Sequence, residues 1–408
     1  MAKVVILSRT HDAVHGHSEK SEFLPTAEDL NPVVESAEFA YRKTHVVLIN
    51  ENGVKFAARH IHDKMRSESY TPRTWRTHPL HICPPEPYSS SDPQTAACLN
   101  WIFLISSLNF SFWSEREGHA DRYGVAWRES WAPDAPEKVW TGYWSLVAAL
   151  NRALRDDEIP ITDPAFYSSA TLCPDALIEH VFRPAEGCSE SVPLLAHRIR
   201  IMREVGSILC REFGGSFQGF LDAFQSEYGV QGTALQLVKK VVETFPSFRD
   251  EVQFQSRKVC LWKRAQILVA EIWAAFYPAS NTPHPLFPGR VGPAIHKLTM
   301  FADYRVPQIL HHLKILSYPP ALVELLNTGA ILAPGCAEEL SLRAASIVAV
   351  ERVRAEMTSL ARDEVSSVLI DFYLWDLAKK IERGEEHIEG LETTQEMVPI
   401  HRTRSIWY

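Results

Sequence analysis

Residues 95–110, TAACLNWIFLISSLNF, decide the fold class. The stretch is strongly apolar and has no polar face, and a helix that is hydrophobic all round is a buried one. Outward from it, helical spacing recurs over 54–65 and over 144–154, where the acidic pair Asp156-Asp157 ends the run. It recurs over 194–213, before the glycine pair Gly214-Gly215 that suits a helix C-terminus. The same pattern covers 217–224, 234–242, 259–276, 307–316, 320–326, 338–360 and 365–383. One short strand is expected at 45–50, with a turn at Glu51-Asn52-Gly53. No strand–helix alternation of the doubly wound kind and no internal repeat is present. The expectation is a mainly α protein: one compact helical domain over 33–408 with a small β element near its start. Residues 1–32 are polar and His-rich and read as a poorly ordered extension. Pro84-Pro85-Glu86-Pro87 and Ser89-Ser90-Ser91 mark about 66–95 as an irregular insertion.

Composition narrows the function classes. Of 408 residues, 46% are hydrophobic and 23% charged, as in ordinary soluble proteins. The net charge of -8 argues against a nucleic-acid surface, which shows as a basic stripe, and leaves room for a small phosphate pocket. The seven cysteines are scattered and form no C-x-x-C pair, so free thiols and no metal site are expected. Val4-Val5-Ile6-Leu7 is too short for a signal segment and no run is long enough to span a membrane. The expected location is cytoplasmic, with the nucleus also open. Walker, G-x-G-x-x-G, G-x-S-x-G and H-E-x-x-H motifs are absent, and no cofactor is expected.

Two motifs carry chemistry: FADYRVPQ (301–308) and DFYLWD (371–376). Both set carboxylates among apolar neighbours, where an unpaired charge is costly. Pro307 has no N–H and suits a first helical turn, which puts Asp303 just before a helix N-terminus. Asp303 is then either a capping residue or a carboxylate kept ionised to face a developing cation, with Phe301 and Tyr304 as walls. On a helix, Asp371 and Asp376 stand about 140° apart and bracket a pocket from two sides. Asp371 shares a face with Trp375, and Phe372 with Asp376; the alternative is a pair of surface carboxylates. LNFSFW (108–113) closes the long apolar helix with aromatics, as packing or as site wall. Lys263 and Arg264, in WKRAQ (262–266), either bind a phosphate or snorkel.

Together these motifs resemble the queuosine salvage protein family, the queuosine 5′-phosphate N-glycosylases. The matching segments are LNWIFLISSLNFSFW (99–113), TGYWSLVAALNRAL (141–154), FGGSF (213–217), ETFPSFRD (243–250) and KRAQILVAEIW (263–273). LTMFADYRVPQIL (298–310), IDFYLWDLA (370–378) and HRTRSIWY (401–408) complete the series. The resemblance runs from about residue 33 to 408 and implies a helical fold reminiscent of DNA glycosylases. It implies hydrolysis of queuosine 5′-monophosphate to queuine and ribose 5-phosphate by a monomer needing no metal or cofactor. The aspartate of FADYR is the family's catalytic carboxylate and the phenylalanine contacts the base; both are intact, as Asp303 and Phe301. The family's DYYLWD motif gives base contacts that fall on Asp371, Phe372 and Asp376, with Phe372 in place of a tyrosine. A family histidine in a W-x-x-x-H-E-L setting falls on His78 in WRTHPL (75–80), one residue closer and followed by Pro79; His81 is the alternative.

The chemistry agrees with that resemblance. Glycosidic cleavage builds oxocarbenium character, which a fixed carboxylate stabilises or attacks. Queuine carries carbon where guanine has N7, so protonation there cannot assist departure and more falls on Asp303. Its guanine-like N–H edge and cationic cyclopentenediol arm both suit carboxylate acceptors. Lys263 and Arg264 are the candidates for the 5′-phosphate. A non-catalytic queuine carrier would keep Asp371, Phe372 and Asp376 without requiring Asp303.

Overall fold

The longest helix, Ala337–Ala361, is the axis on which the rest is hung. The computed structural model describes residues 30–229, 231–287, 292–361 and 365–408; nearly all of the expected N-terminal extension lies outside them. The helices are α1 (Pro32–Thr44), α2 (Glu51–Ser67), α3 (Pro93–Ser107), α4 (Tyr143–Arg155), α5 (Pro164–Ser168), α6 (Asp175–Val181) and α7 (Leu195–Glu212). They continue as α8 (Phe217–Tyr228), α9 (Ala234–Thr244), α10 (Lys263–Ala275), α11 (Arg305–His312), α12 (Pro320–Asn327), α13 (Ala337–Ala361) and α14 (Ser367–Glu382). The strands are β1 (Leu48–Ile49), β2 (Gly124–Arg128), β3 (Glu137–Thr141), β4 (Glu251–Phe254), β5 (Arg257–Cys260) and β6 (Leu316–Ser317). Residues 31–408 form one compact unit.

The mainly helical fold is as the sequence reading expects, and its helix ends follow local chemistry. Asn31, Asp92 and Ser366 cap α1, α3 and α14 with side-chain oxygens that accept from backbone N–H groups. Thr233 and Gln236 form a reciprocal capping box on α9. α7 stops before Gly214 and Gly215, both at positive φ. The apolar stretch at 95–110 becomes α3, buried on nearly every side among α7, α8 and α10. α13 packs against α1, α2, α11 and α14.

Three expectations need correcting. Glu51-Asn52-Gly53 is not a turn but the first turn of α2, capped by Asn50. Gly53 is there for closeness: a Cβ on it would sit 2.0 Å from the Lys314 carbonyl oxygen. The expected helix over 259–276 is a strand end followed by a helix, with Trp262 at φ 49° making the corner. β structure is also not confined to the N-terminal region. β1 pairs antiparallel with the distant β6, and β2–β3 and β4–β5 are two further hairpins that escaped notice.

Candidate active site

A cavity of about 310 Å³ opens between α4, α10, α11, α14 and the segment from Tyr70 to His81. That segment, expected to be an irregular insertion, holds the 3-10 turn Pro72–Thr77 and forms one whole wall. α14 supplies Asp371, Phe372, Trp375, Asp376 and Lys379, a stripe of one-turn repeats. α10 supplies Lys263, Ile267 and Glu271, each four residues on from the last. The two aspartates of DFYLWD therefore do border one pocket.

The loop that carries Asp303 is pinned at each residue. Phe301 N–H donates to Asp371 Oδ1 at 2.9 Å. The Ala302 carbonyl accepts from Arg343 Nε at 2.8 Å. Asp303 Oδ1 accepts from the N–H groups of Arg305 (2.7 Å) and Val306 (2.9 Å), at the start of α11. The capping reading of Asp303 is met by one oxygen, at a helix terminus that favours negative charge. Arg343 is itself buried and paired with Asp250 at 2.6 Å.

Asp371 is 4% exposed. Burial, and then the neighbouring Asp303 charge, push its carboxyl well above the usual range. That environment favours the neutral, hydrogen-bonding form of Asp371. Asp376 is raised by burial, against the pull of Tyr70 O–H, which donates to it at 2.7 Å. Lys263 Nζ donates to Asn109 Oδ1 (2.9 Å) and to the Asn109 carbonyl (3.1 Å). Burial lowers it to about 8 while Asp303 and Asp371 hold it up, so it is the buried counter-charge of the acidic pair. Phe301 and Phe372 meet with ring centres 5.9 Å apart at 52°.

The two histidines also line the cavity. His78 stacks flat on Trp144, centroids 3.5 Å apart, and burial holds it down to about 4. His81 stacks on Trp75 at 3.9 Å and is lowered to about 3. Both are neutral at physiological pH. Arg264 does not share the site with Lys263. It points the other way, fully buried, and donates to the carbonyls of Ser107 and Ser247. Consecutive residues on a helix diverge by about 100°, so only one of the pair can face the cavity. The cations that do line it besides Lys263 are Arg122, Arg305 and Lys379. Arg122 pairs with Glu117, and Arg305 and Lys379 share Glu382. Among the described residues no group of His, Cys, Asp and Glu is placed to hold a metal ion.

A carboxylate fixed on a helix terminus, a buried acid beside it and an aromatic wall suit a planar base on a sugar. Residues 89–408 match the queuosine salvage protein family. A relative from Schizosaccharomyces pombe, named queuosine 5′-phosphate N-glycosylase/hydrolase, is 37% identical over 93% of this chain and 100% of its own. Relatives of the same name from Mus musculus (36% identical, 92% of this chain, 98% of theirs) and Sphaerobacter thermophilus (34%, 86% and 91%) agree. This chain belongs to the queuosine salvage family.

Within that family's frame, several wall residues had drawn no role from sequence. Tyr143 and Trp144 lie in TGYWSL, a matched segment whose aromatics open α4. Tyr408 was visible only as part of HRTRSIWY; its ring lies 4.1 Å under the Arg343 guanidinium and its carbonyl accepts from Ser111 N–H at 2.8 Å. Glu271 gave no signal beyond being an acid inside an apolar helix, and that was the usable one. No helix among the described residues is long and apolar enough to cross a membrane.

Proposed function

We propose that this chain hydrolyses the N-glycosidic bond of queuosine 5′-monophosphate, releasing queuine and ribose 5-phosphate for queuine salvage into tRNA. The observation that carries the reading is Asp303: a carboxylate at a helix terminus, one oxygen committed to two N–H groups. Its second oxygen is left for the anomeric carbon, where it meets positive charge as the bond to the base lengthens. Phe301 and Phe372 flank the base. Asp371 and Asp376 take its donor edge, and Asp371, carrying a proton, also has one to offer. His78, neutral and held flat by Trp144, contacts the base from the opposite wall.

For the 5′-phosphate, the wall offers Lys263, Arg305, Lys379 and Arg122. Arg305 follows Asp303 by two residues, which suits a phosphate one carbon beyond the ribose ring. The test is incubation of purified protein with queuosine 5′-monophosphate, following queuine by mass spectrometry beside Asp303→Asn. Release by wild type, reduced about a thousandfold in the variant while queuine still binds, is the expected result. Full activity in the variant would remove Asp303 from the reaction, and binding without release by wild type would make the protein a carrier.

A further inference from the structure

One buried acid in the cavity has no part in that scheme. Glu271 is 5% exposed and lines the cavity, yet no cation is hydrogen-bonded to it. Ser106 Oγ and Tyr143 O–H donate to its two oxygens at 3.1 and 3.2 Å, leaving each oxygen a further lone pair. Burial raises it to about 7. Two more polar groups border the same end: Trp75 Nε1, whose N–H is directed at Glu271, and His81 Nε2, which has no hydrogen-bond partner among the described residues. His81 Nδ1 faces the Trp75 carbonyl at 2.7 Å and so carries the hydrogen, which makes Nε2 a bare acceptor. An acceptor and a carboxyl gathered in one corner fit a ligand with a hydroxyl and a cation.

The position of this corner says which part of the substrate reaches it. Lys263 lies beside Asp303, whose charge acts on it directly. Glu271 is eight residues further along the same helix, about 12 Å away. The charge that reaches it is that of Lys263. A group protonating the leaving base would have to be near Asp303; Asp303 acts on Lys263 and not on Glu271, about two helical turns along α10. In queuosine the far end from the glycosidic carbon is the arm, a secondary ammonium carrying a cyclopentenediol.

We propose that Glu271, steadied by the Trp75 N–H, is the counter-ion of that ammonium, with His81 meeting a diol hydroxyl, so that this corner selects the arm-bearing base. The inference rests on the queuosine reading above. An ammonium against Glu271 repays the desolvation of the carboxylate with a charge-assisted hydrogen bond, and a guanine-type base leaves the corner unfilled.

The test compares kcat/KM for queuosine 5′-monophosphate and for 7-deazaguanosine 5′-monophosphate, which lacks the arm. Wild type should prefer the first, and in Glu271→Gln the ratio should fall roughly ten- to hundredfold. Glu271→Asp keeps the charge one methylene short and should retain part of the preference; it also serves if the glutamine variant does not fold. A ratio that stays at the wild-type value in the folded variants, or an equal fall for both substrates, overturns the role of Glu271 alone. Release of base from neither substrate by wild type overturns the queuosine reading and this inference with it.

Discussion

Replacing Asp371 by asparagine tests the electrostatic heart of the site. In the folded protein burial and Asp303 keep Asp371 protonated far above the ordinary carboxyl range. In the unfolded chain it loses its proton near 3.8, the ordinary value for an aspartate. Between those two points the folded state binds one proton more than the unfolded state, so stability falls as pH rises. The slope for one proton is about 1.36 kcal/mol per pH unit. For each pH unit inside that window, wild type should therefore lose up to about 1.4 kcal/mol that Asp371→Asn does not lose. Asparagine is the right substitution because it mimics the protonated acid. Its oxygen can keep the 2.9 Å bond from Phe301 N–H, and its amide can donate as the acid's O–H does. The assay is urea unfolding of both proteins at several pH values. The difference between them should grow in favour of the variant as pH rises, crossing from near zero at pH 4. A difference that does not change with pH would show that Asp371 is ionised and balanced by Lys263, and would refute the assignment of the proton.

Lys263 is held down to about 8, so a reaction that needs its charge should lose rate as pH rises through that value. Lys263→Arg, always charged, should move the fall in kcat/KM to higher pH, which a pH–rate profile reads. Arg343→Gln leaves Asp250 and Glu339 buried without their cation and should cost about 3–5 kcal/mol in denaturant unfolding. Gly53→Ala drives a methyl group into the Lys314 carbonyl and should cost about 1–3 kcal/mol with little change in KM.

The helices were legible because apolar spacing, capping residues and glycine pairs are local signals. α3, α8, α9, α13 and α14 lie within a few residues of where the pattern put them. Asp303 was legible for the same reason: Pro307 marks the start of a helix. What was not legible depends on distant partners. β6, at the end of a stretch that reads as helix, exists only because β1 pairs with it across the chain. Gly53 looked like a turn signal until the Lys314 carbonyl came into view. Lys263 and Arg264 were equivalent as charges, and only the direction of α10 separates them. Glu271 carried no motif at all; its position depends on Ser106 and Tyr143, from two other helices.

The bond from Tyr70 to Asp376 joins residues 306 apart in sequence. On a ribosome adding about 5–20 residues per second, the first partner waits roughly 15–60 s for the second. Through that interval the wall holding Tyr70, Trp75, His78 and His81 can pack on Trp101 and Trp144 but faces no α14. The site is therefore assembled late: most of its walls are made before α14, and the pocket is complete only when α14 docks and brings Asp371 and Asp376 to it.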